Sequence, residues 1–256
     1  MFYDTHCHLN DKAYRDDMAE VIVAAHESGV AEMNVVGCDW DTSSQAVEIA
    51  KKEEGIYAVV GVHPSDSGTY CDELEAALYA WAEEEKVVAI GEIGLDYHYD
   101  DTDKTVQEIV FRRQLKVAHD VGLPIVIHSR DAMADTLRIL KEERQISDYR
   151  GVFHCYSGSY EDALKAIKMG FYIGVDGPLT YPNSRKLPEI VKKLPLERIL
   201  IETDCPYLTP QQFRGKRNQP AYVRFVAEKI AELRQISVEE VAAATTENAH
   251  RLFHNK

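Results

Sequence analysis

The sequence predicts an α/β protein in which eight parallel strands close into a barrel, a (β/α)8 or TIM barrel, over residues 1–256 as a single domain. Three observations lead there. Eight short apolar runs alternate with helix-patterned stretches from one end of the chain to the other. Gly29, Gly55, Gly122 and Gly170 each follow a helical stretch and precede an apolar run, where a left-handed residue ends a helix. Connections into the strands are short, whereas several connections out of them are long, and a barrel of this kind builds its site on the long-loop face.

Taken in order, the first run is Phe2–Thr5, which leads into His6-Cys7-His8. Residues i and i+2 of an extended strand share a face, so both imidazoles aim at one point. By the same alternation Asp4 is expected on the face of His6, deeper in the barrel, and Cys7 on the opposite face. The remaining runs are Met33–Val36, Ala58–Val62, Val87–Ile90, Ile125–Ile127, Val152–Phe153, Phe171–Gly174 and Ile199–Ile201. Leu74, Ala77, Leu78 and Trp81 have helical spacing, as do Val223, Val226, Ala227 and Ile230. Thr42-x-x-Gln45 and Ser237-x-x-Glu240 read as capping boxes. The long connections are His63–Tyr70, Gly94–Asp103, Val175–Asn183 and Thr203–Arg217. Two closing helices, Ala221–Leu233 and Ser237–Phe253, complete the outer layer. An open doubly wound sheet is the competing architecture. The first strand lacks the Gly-rich phosphate turn of that fold, and eight strands suit closure.

Composition narrows the function. A hydrophobic content of 45% supports a real core, and a formal net charge of −14 argues against a nucleic-acid coat or a membrane-surface protein. A nucleic-acid enzyme stays open, because bound cations and a local basic loop offset the field at one site. Five cysteines without a C-x-x-C do not make a disulfide framework or a zinc ribbon. No apolar run reaches the ~20 residues that span a bilayer. A cytoplasmic protein is the expectation.

The polar residues fall at the ends of the apolar runs. His6 and His8 end the first, His63 the third, Glu92 the fourth, His128 the fifth, His154 the sixth, and Glu202 with Asp204 the eighth. Such positions converge on one barrel mouth, and charged groups are seldom buried without partners. A metal centre supplies those partners. His6, His8, Glu92, His128, His154 and Asp204 make four imidazoles and two carboxylates, too many for one zinc ion. Two ions are expected: His6, His8 and Asp204 on one, His128 and His154 on the other, and Glu92 bridging.

Asp4-x-His6-x-His8, Gly61-Val62-His63-Pro64, Gly91-Glu92-Ile93-Gly94-Leu95-Asp96, His128-Ser129-Arg130, His154-Cys155-Tyr156-Ser157-Gly158 and Glu202-Thr203-Asp204 resemble, in order, the motifs of the TatD family of metal-dependent deoxyribonucleases. Arg214-Gly215-Lys216-Arg217-Asn218-x-Pro220 resembles that family's late basic loop, with Gln219 where Glu is more usual. The resemblance covers essentially the whole chain. It implies an amidohydrolase-type barrel, a divalent-metal requirement supported by Mg²⁺, and hydrolysis of nucleic-acid phosphodiesters. Four imidazoles themselves suit Zn²⁺ or Mn²⁺ better than Mg²⁺, so the identity of the two divalent ions stays open among the three.

The expected activity is therefore that of a deoxyribonuclease, an exonuclease on single-stranded DNA, with DNA favoured as the nucleic-acid partner and no obligate protein partner. Asp204 is expected to orient the attacking water as well as to ligate, Glu202 either to do acid–base work or to hold a ligand in place, and His63 to donate to the phosphate or protonate the leaving group. Arg130, Arg214, Lys216 and Arg217 are the expected phosphate contacts, and Tyr97, Tyr99, Tyr156, Tyr207 and Phe213 lie on the same loops. Two other readings compete. One is a C–N or ester-bond hydrolase of the amidohydrolase type, such as a deaminase, lactonase or aminoacyl-ester deacylase. The other is a non-catalytic metal-binding scaffold.

Overall fold

Eight parallel strands follow one another around the sheet in chain order. The structure, a computed structural model, describes residues 1–99, 102–144 and 149–254. The strands are β1 (Phe2–Cys7), β2 (Val30–Val36), β3 (Ile56–Val60), β4 (Val87–Asp96), β5 (Ile125–Arg130), β6 (Gly151–Phe153), β7 (Tyr172–Val175) and β8 (Ile199–Ile201). Between and after them run α1 (Met18–Glu27), α2 (Trp40–Lys52), α3 (Asp72–Ala82), α4 (Lys104–Val121), α5 (Met133–Glu143), α6 (Tyr160–Lys168), α7 (Lys186–Lys193), α8 (Val223–Arg234) and α9 (Val238–Phe253). Just beyond β8 the chain returns to β1. The His8 amide donates to the Cys205 carbonyl at 2.8 Å and the Asp204 amide to the His6 carbonyl at 2.9 Å, which brings the two edges of the sheet together.

Two apolar layers hold the barrel. Inside it, Tyr3, Val36, Val59, Val88, Val126 and Leu200 pack into one cluster. Outside it, Met33, Val35, Ile56, Ile90, Ile93, Leu115 and Ile139 belong to the larger layer between strands and helices. The last turns of α9 enter the inner cluster through Ala249, Leu252 and Phe253. That helix therefore plugs the floor of the barrel as well as closing its outer ring.

The four punctuating glycines have φ of 86°, 72°, 73° and 93°, the left-handed values expected of residues that end helices. Ser237 and Glu240 form the capping box of α9. The box of α2 lies elsewhere than the sequence suggests. Asp39 is the cap, accepting from the Thr42 amide at 2.8 Å, and the Thr42 hydroxyl accepts from the Asp39 amide at 3.0 Å. A carboxylate outcompeted the hydroxyl for the end position. The fourth strand also runs longer than its apolar core, through Gly94-Leu95-Asp96, so that connection begins at Tyr97; its Asp100 and Asp101 lie outside the described residues. Gly94 makes the extension feasible. A Cβ there would lie 2.0 Å from the His128 carbonyl oxygen, at a φ of 140°.

Strand β1 departs from simple alternation. Asp4 pairs with Met33 and Cys7 with Val35, so three steps along β1 match two along β2. This bulge inserts one residue between them. Asp4 consequently sits with Cys7 and Cys205 and not on the face of His6, which corrects the alternation-based expectation. Its carboxyl accepts from the Thr203 amide at 2.9 Å and the Thr203 hydroxyl at 2.6 Å, tying β1 to the chain leaving β8. Asp4→Ala leaves these buried donors unpaired and is expected to lower unfolding free energy by about 1–3 kcal/mol, read from the urea midpoint at unchanged slope.

Candidate metal centre

The bulge and the closing strand set the first donor group. His6 Nε2 lies 3.2 Å from His8 Nε2, and both face Asp204 Oδ1, at 3.6 Å and 3.3 Å. Asp204 has a φ of 55°, a left-handed conformation that Asp tolerates better than most residues and that swings its carboxylate over the mouth. The second group comes from β5 and the end of β6. His128 Nδ1 and His154 Nε2 lie 3.3 Å apart, each 2.7 Å from Glu92 Oε1. The other oxygen of Glu92, Oε2, is 3.4 Å from His6 Nε2. The two groups are adjacent, with the His6 and His154 rings stacked at 4.0 Å.

Neighbouring groups fix where the lone pairs point. The Val36 carbonyl, an obligate acceptor, lies 3.0 Å from His8 Nδ1, so that nitrogen carries a proton and Nε2 is the atom turned toward Asp204. Asp96 accepts from His128 Nε2 at 2.9 Å, which leaves His128 Nδ1 as the atom facing Glu92. With no ion bound, burial opposes charge on His8 and His128, but neighbouring groups, carboxylates among them, hold both above the usual imidazole range. Protons thus occupy the space a cation would take, and imidazoles oriented by a carbonyl or carboxylate behind them are the usual ligands once it does. The donor set therefore fits divalent ions.

The electrostatics agree. Burial, and then the His154 charge, push His6 down to about 4, so it is neutral and ready to ligate. His154 is buried, which opposes its charge, yet Glu92 followed by Glu202 and Asp204 holds it up to about 10. Without ions, protons collect where cations belong. Glu202 is fully buried, accepts from the Cys155 amide at 2.5 Å, and lies 3.7 Å from His154 Nδ1. Room for it comes from Gly174, whose Cβ would meet the Glu202 carboxylate at 2.6 Å. Burial, with Asp176 and Asp204 adding to it, raises Glu202 to about 8.

A cleft of about 780 Å³ opens above the donors, lined by His8, His63, Glu92, His128, His154 and Asp204 among others. Of the expected catalytic residues, Asp204 and His63 face it, and Glu202 lies behind His154 instead. His63 Nδ1 accepts from the Ser65 amide at 3.1 Å, and Nε2 is 3.7 Å from Glu92 Oε1. Among the expected phosphate contacts, only Arg130 lines the cleft. Arg214 stacks over Tyr181 at 4.3 Å, and Lys216 lies near the Phe213 ring, 6.0 Å from its centroid. Arg217 is paired with Asp17 at 2.5 Å and 2.9 Å. Tyr99 and Tyr207 stand exposed at the rim, whereas Tyr156 is buried and Phe213 stacks on Tyr222 at 4.3 Å.

Two residues of the centre carried no role in the sequence reading. Asp96, behind His128, is held down to about 2: burial works against ionisation, but the His128 and His98 hydrogen bonds outweigh it. Asp176 directly follows β7 and is buried with Oδ2 unpartnered. A lone acid directly after an apolar run, the same signal that marked Glu202, would have found it. Burial raises Asp176 to about 7. In metal-stripped protein the folded state thus keeps protons on Glu202 and Asp176 that the unfolded chain releases near 4.5 and 3.8. At these two groups the folded state binds more protons across that window, so their contribution to stability is lost as pH rises from about 4 to about 8, while His6 and His63, lowered to about 4 by burial, add stability over the lower part of it. Between pH 4 and pH 8 the urea midpoint of Glu202→Gln with Asp176→Asn is expected to move upward relative to that of wild type.

Known proteins are similar to this chain over its full length. The TatD related DNase family model matches residues 3–254. YabD of Bacillus subtilis, described as an uncharacterized metal-dependent hydrolase, is 49% identical over 253 residues, covering 99% of both chains. A Cronobacter sakazakii protein named 3'-5' ssDNA/RNA exonuclease TatD is 33% identical over 257 residues, covering 98% of this chain and 97% of that one. The crystal structure of YjjV, a TatD homologue from Escherichia coli K12, superposes with a TM-score of 0.93 at 32% identity, over 100% of this chain and 98% of that one. The chain belongs to the TatD family of metal-dependent hydrolases.

Proposed function

We propose that this protein is a deoxyribonuclease that removes nucleotides from the end of single-stranded DNA, using two divalent ions. The observation that carries the reading is Glu92, whose two oxygens face two separate imidazole groups. His6, His8, Asp204 and Glu92 would hold one ion, and His128, His154 and Glu92 the other. Such a pair, of Mg²⁺, Mn²⁺ or Zn²⁺, supplies phosphate neutralisation, water activation and stabilisation of the leaving oxygen.

The chain's own residues do the rest. Asp204 lines the cleft and is placed to orient the attacking water and accept its proton on a carboxylate oxygen. His63 is held neutral, since burial lowers it to about 4, and with Nδ1 accepting from Ser65 its proton sits on Nε2. It donates a hydrogen bond to the phosphate; a ring this weakly basic is a hydrogen-bond donor to the substrate before it is a general acid. Glu202, sealed behind His154 with a carboxylate oxygen 3.7 Å from Nδ1, favours positive charge on that imidazole. Arg130, with its guanidinium 4.9 Å over the Tyr99 ring, binds the phosphate that enters the cleft. Tyr99 and Tyr207 offer ring faces to unpaired bases. The cleft suits a nucleotide end, not the side of a duplex. Arg214 and Lys216 would meet the strand outside the cleft, whereas Arg217 is already neutralised by Asp17.

The C–N or ester-bond reading keeps one observation in its favour: among the described residues, Arg130 is the only Lys or Arg lining the cleft. End-labelled single-stranded DNA separates the two. With Mg²⁺ or Mn²⁺ the strand should shorten from one end, and EDTA should stop it. Glu92→Ala should abolish cleavage and metal occupancy together, and Arg130→Ala should raise KM about tenfold with little change in kcat. Turnover of esters or amides with DNA left intact would replace the nuclease reading.

A further inference from the structure

The opposite end of the barrel carries a second group of metal-type donors. Glu32 projects from β2, His250 lies in the last turn of α9, and His254 caps that helix four residues on. Residues i and i+4 share one helix face, so both imidazoles point the same way. One donor atom from each of the three lies within 4.8 Å of the others. Glu32 Oε2 and His250 Nε2 are already 2.5 Å apart.

The surroundings hold these donors in place. Tyr57 donates its hydroxyl to Glu32 Oε1 at 3.3 Å, and its ring lies 4.5 Å from that of His254. The buried Tyr3 hydroxyl is 3.2 Å from His254 Nε2 and donates to Asn34 Oδ1 at 2.8 Å. Hydroxyls behind a carboxylate and an imidazole are the kind of support that orients metal ligands. Beside the group lies a cleft of about 710 Å³ lined by Glu32, Tyr57 and Lys86, which leaves room for a water as a further ligand.

We infer that Glu32, His250 and His254 form a separate binding site for a zinc-class divalent transition-metal ion on the floor of the barrel. Two imidazoles and a carboxylate with one open position match a zinc donor set, and they disfavour Mg²⁺ and Ca²⁺, which take oxygen ligands. The ion ties α9 to β2. It thereby pins the helix whose Phe253 fills the barrel floor. The site shares no residue with the proposed nuclease centre, so it stands or falls independently of that reading.

The test uses the full chain, stripped with EDTA, dialysed against Zn²⁺ and then analysed for metal content. Wild type should carry one more Zn²⁺ per chain than His250→Ala with His254→Ala. Added Zn²⁺ should raise the melting temperature of wild type more than that of the variant. Mg²⁺-supported turnover of the variant should match wild type, which excludes damage to the other centre. Glu32→Gln keeps the shape of the floor and should also lose the extra ion; it decides the matter if the histidine variant fails to fold. Equal Zn²⁺ content in wild type and Glu32→Gln would overturn the proposal.

Discussion

A buried carboxylate shared by imidazoles on both sides is the constraint on which the rest of the site depends. Glu92 is 3% exposed and makes contacts of 2.7 Å to His128 and His154 and 3.4 Å to His6. Burial alone would drive its proton back on, but the three histidines hold it well below the usual carboxylate range. The charge therefore persists in a place where isolated charge is prohibitively costly. His8, Asp204 and Glu202 are arranged around that charge, and ring nitrogens that share protons with carboxylates at such distances have their natural complement in a cation that replaces those protons.

The backbone accommodates this constraint at five places. A bulge in β1 breaks alternation so that Thr5 and His6 both serve the interior, with Thr5 reaching Glu202 at 3.4 Å, and Asp4 is released to clamp β8. Gly94 lets β4 pass against the His128 carbonyl, and Gly174 clears the volume that the Glu202 carboxylate fills. Asp204 and Cys155 take left-handed φ values of 55° and 43° two or three residues past the strands that deliver them. Strain of this kind persists only where surrounding contacts over-determine it, and here those contacts belong to the donor cluster.

How much of this the sequence disclosed follows from the kind of signal each feature leaves. Donor positions were legible because apolar runs stop abruptly at polar residues, and all six expected donors meet at one mouth even though β4 runs on past Glu92 to Asp96 and β5 past His128 to Arg130. Left-handed glycines were legible because few other residues serve there. Asp4 was misplaced because a bulge leaves no compositional mark. Asp39 lost out to Thr42 in the reading because Asp and Thr both cap, and the choice depends on where the helix begins. The basic loop looked continuous in sequence, yet folding spent its members differently: Arg217 on Asp17, Arg214 on Tyr181, and neither on the cleft. Charge runs show composition, whereas tertiary partners decide availability.

That dispersal bears on how an acidic protein would engage a polyanion. With a formal net charge of −14, the long-range field opposes DNA, and it weakens within about a Debye length of 8–10 Å in salt. Affinity on the proposed reading must therefore come from short-range contacts: divalent ions at the Glu92 centre, the Arg130 guanidinium and the exposed Tyr99 and Tyr207 rings. Few phosphates would be neutralised by Lys or Arg side chains, so little counterion release accompanies binding, and the dependence on monovalent salt is shallow compared with proteins that track the backbone through many cationic contacts. The same logic favours a strand end over a long tract: the cleft, where Arg130 is the only Lys or Arg among the described lining residues, has the means to hold one phosphate and its neighbouring bases, and beyond it Arg214 and Lys216 offer an extended strand few further cationic contacts.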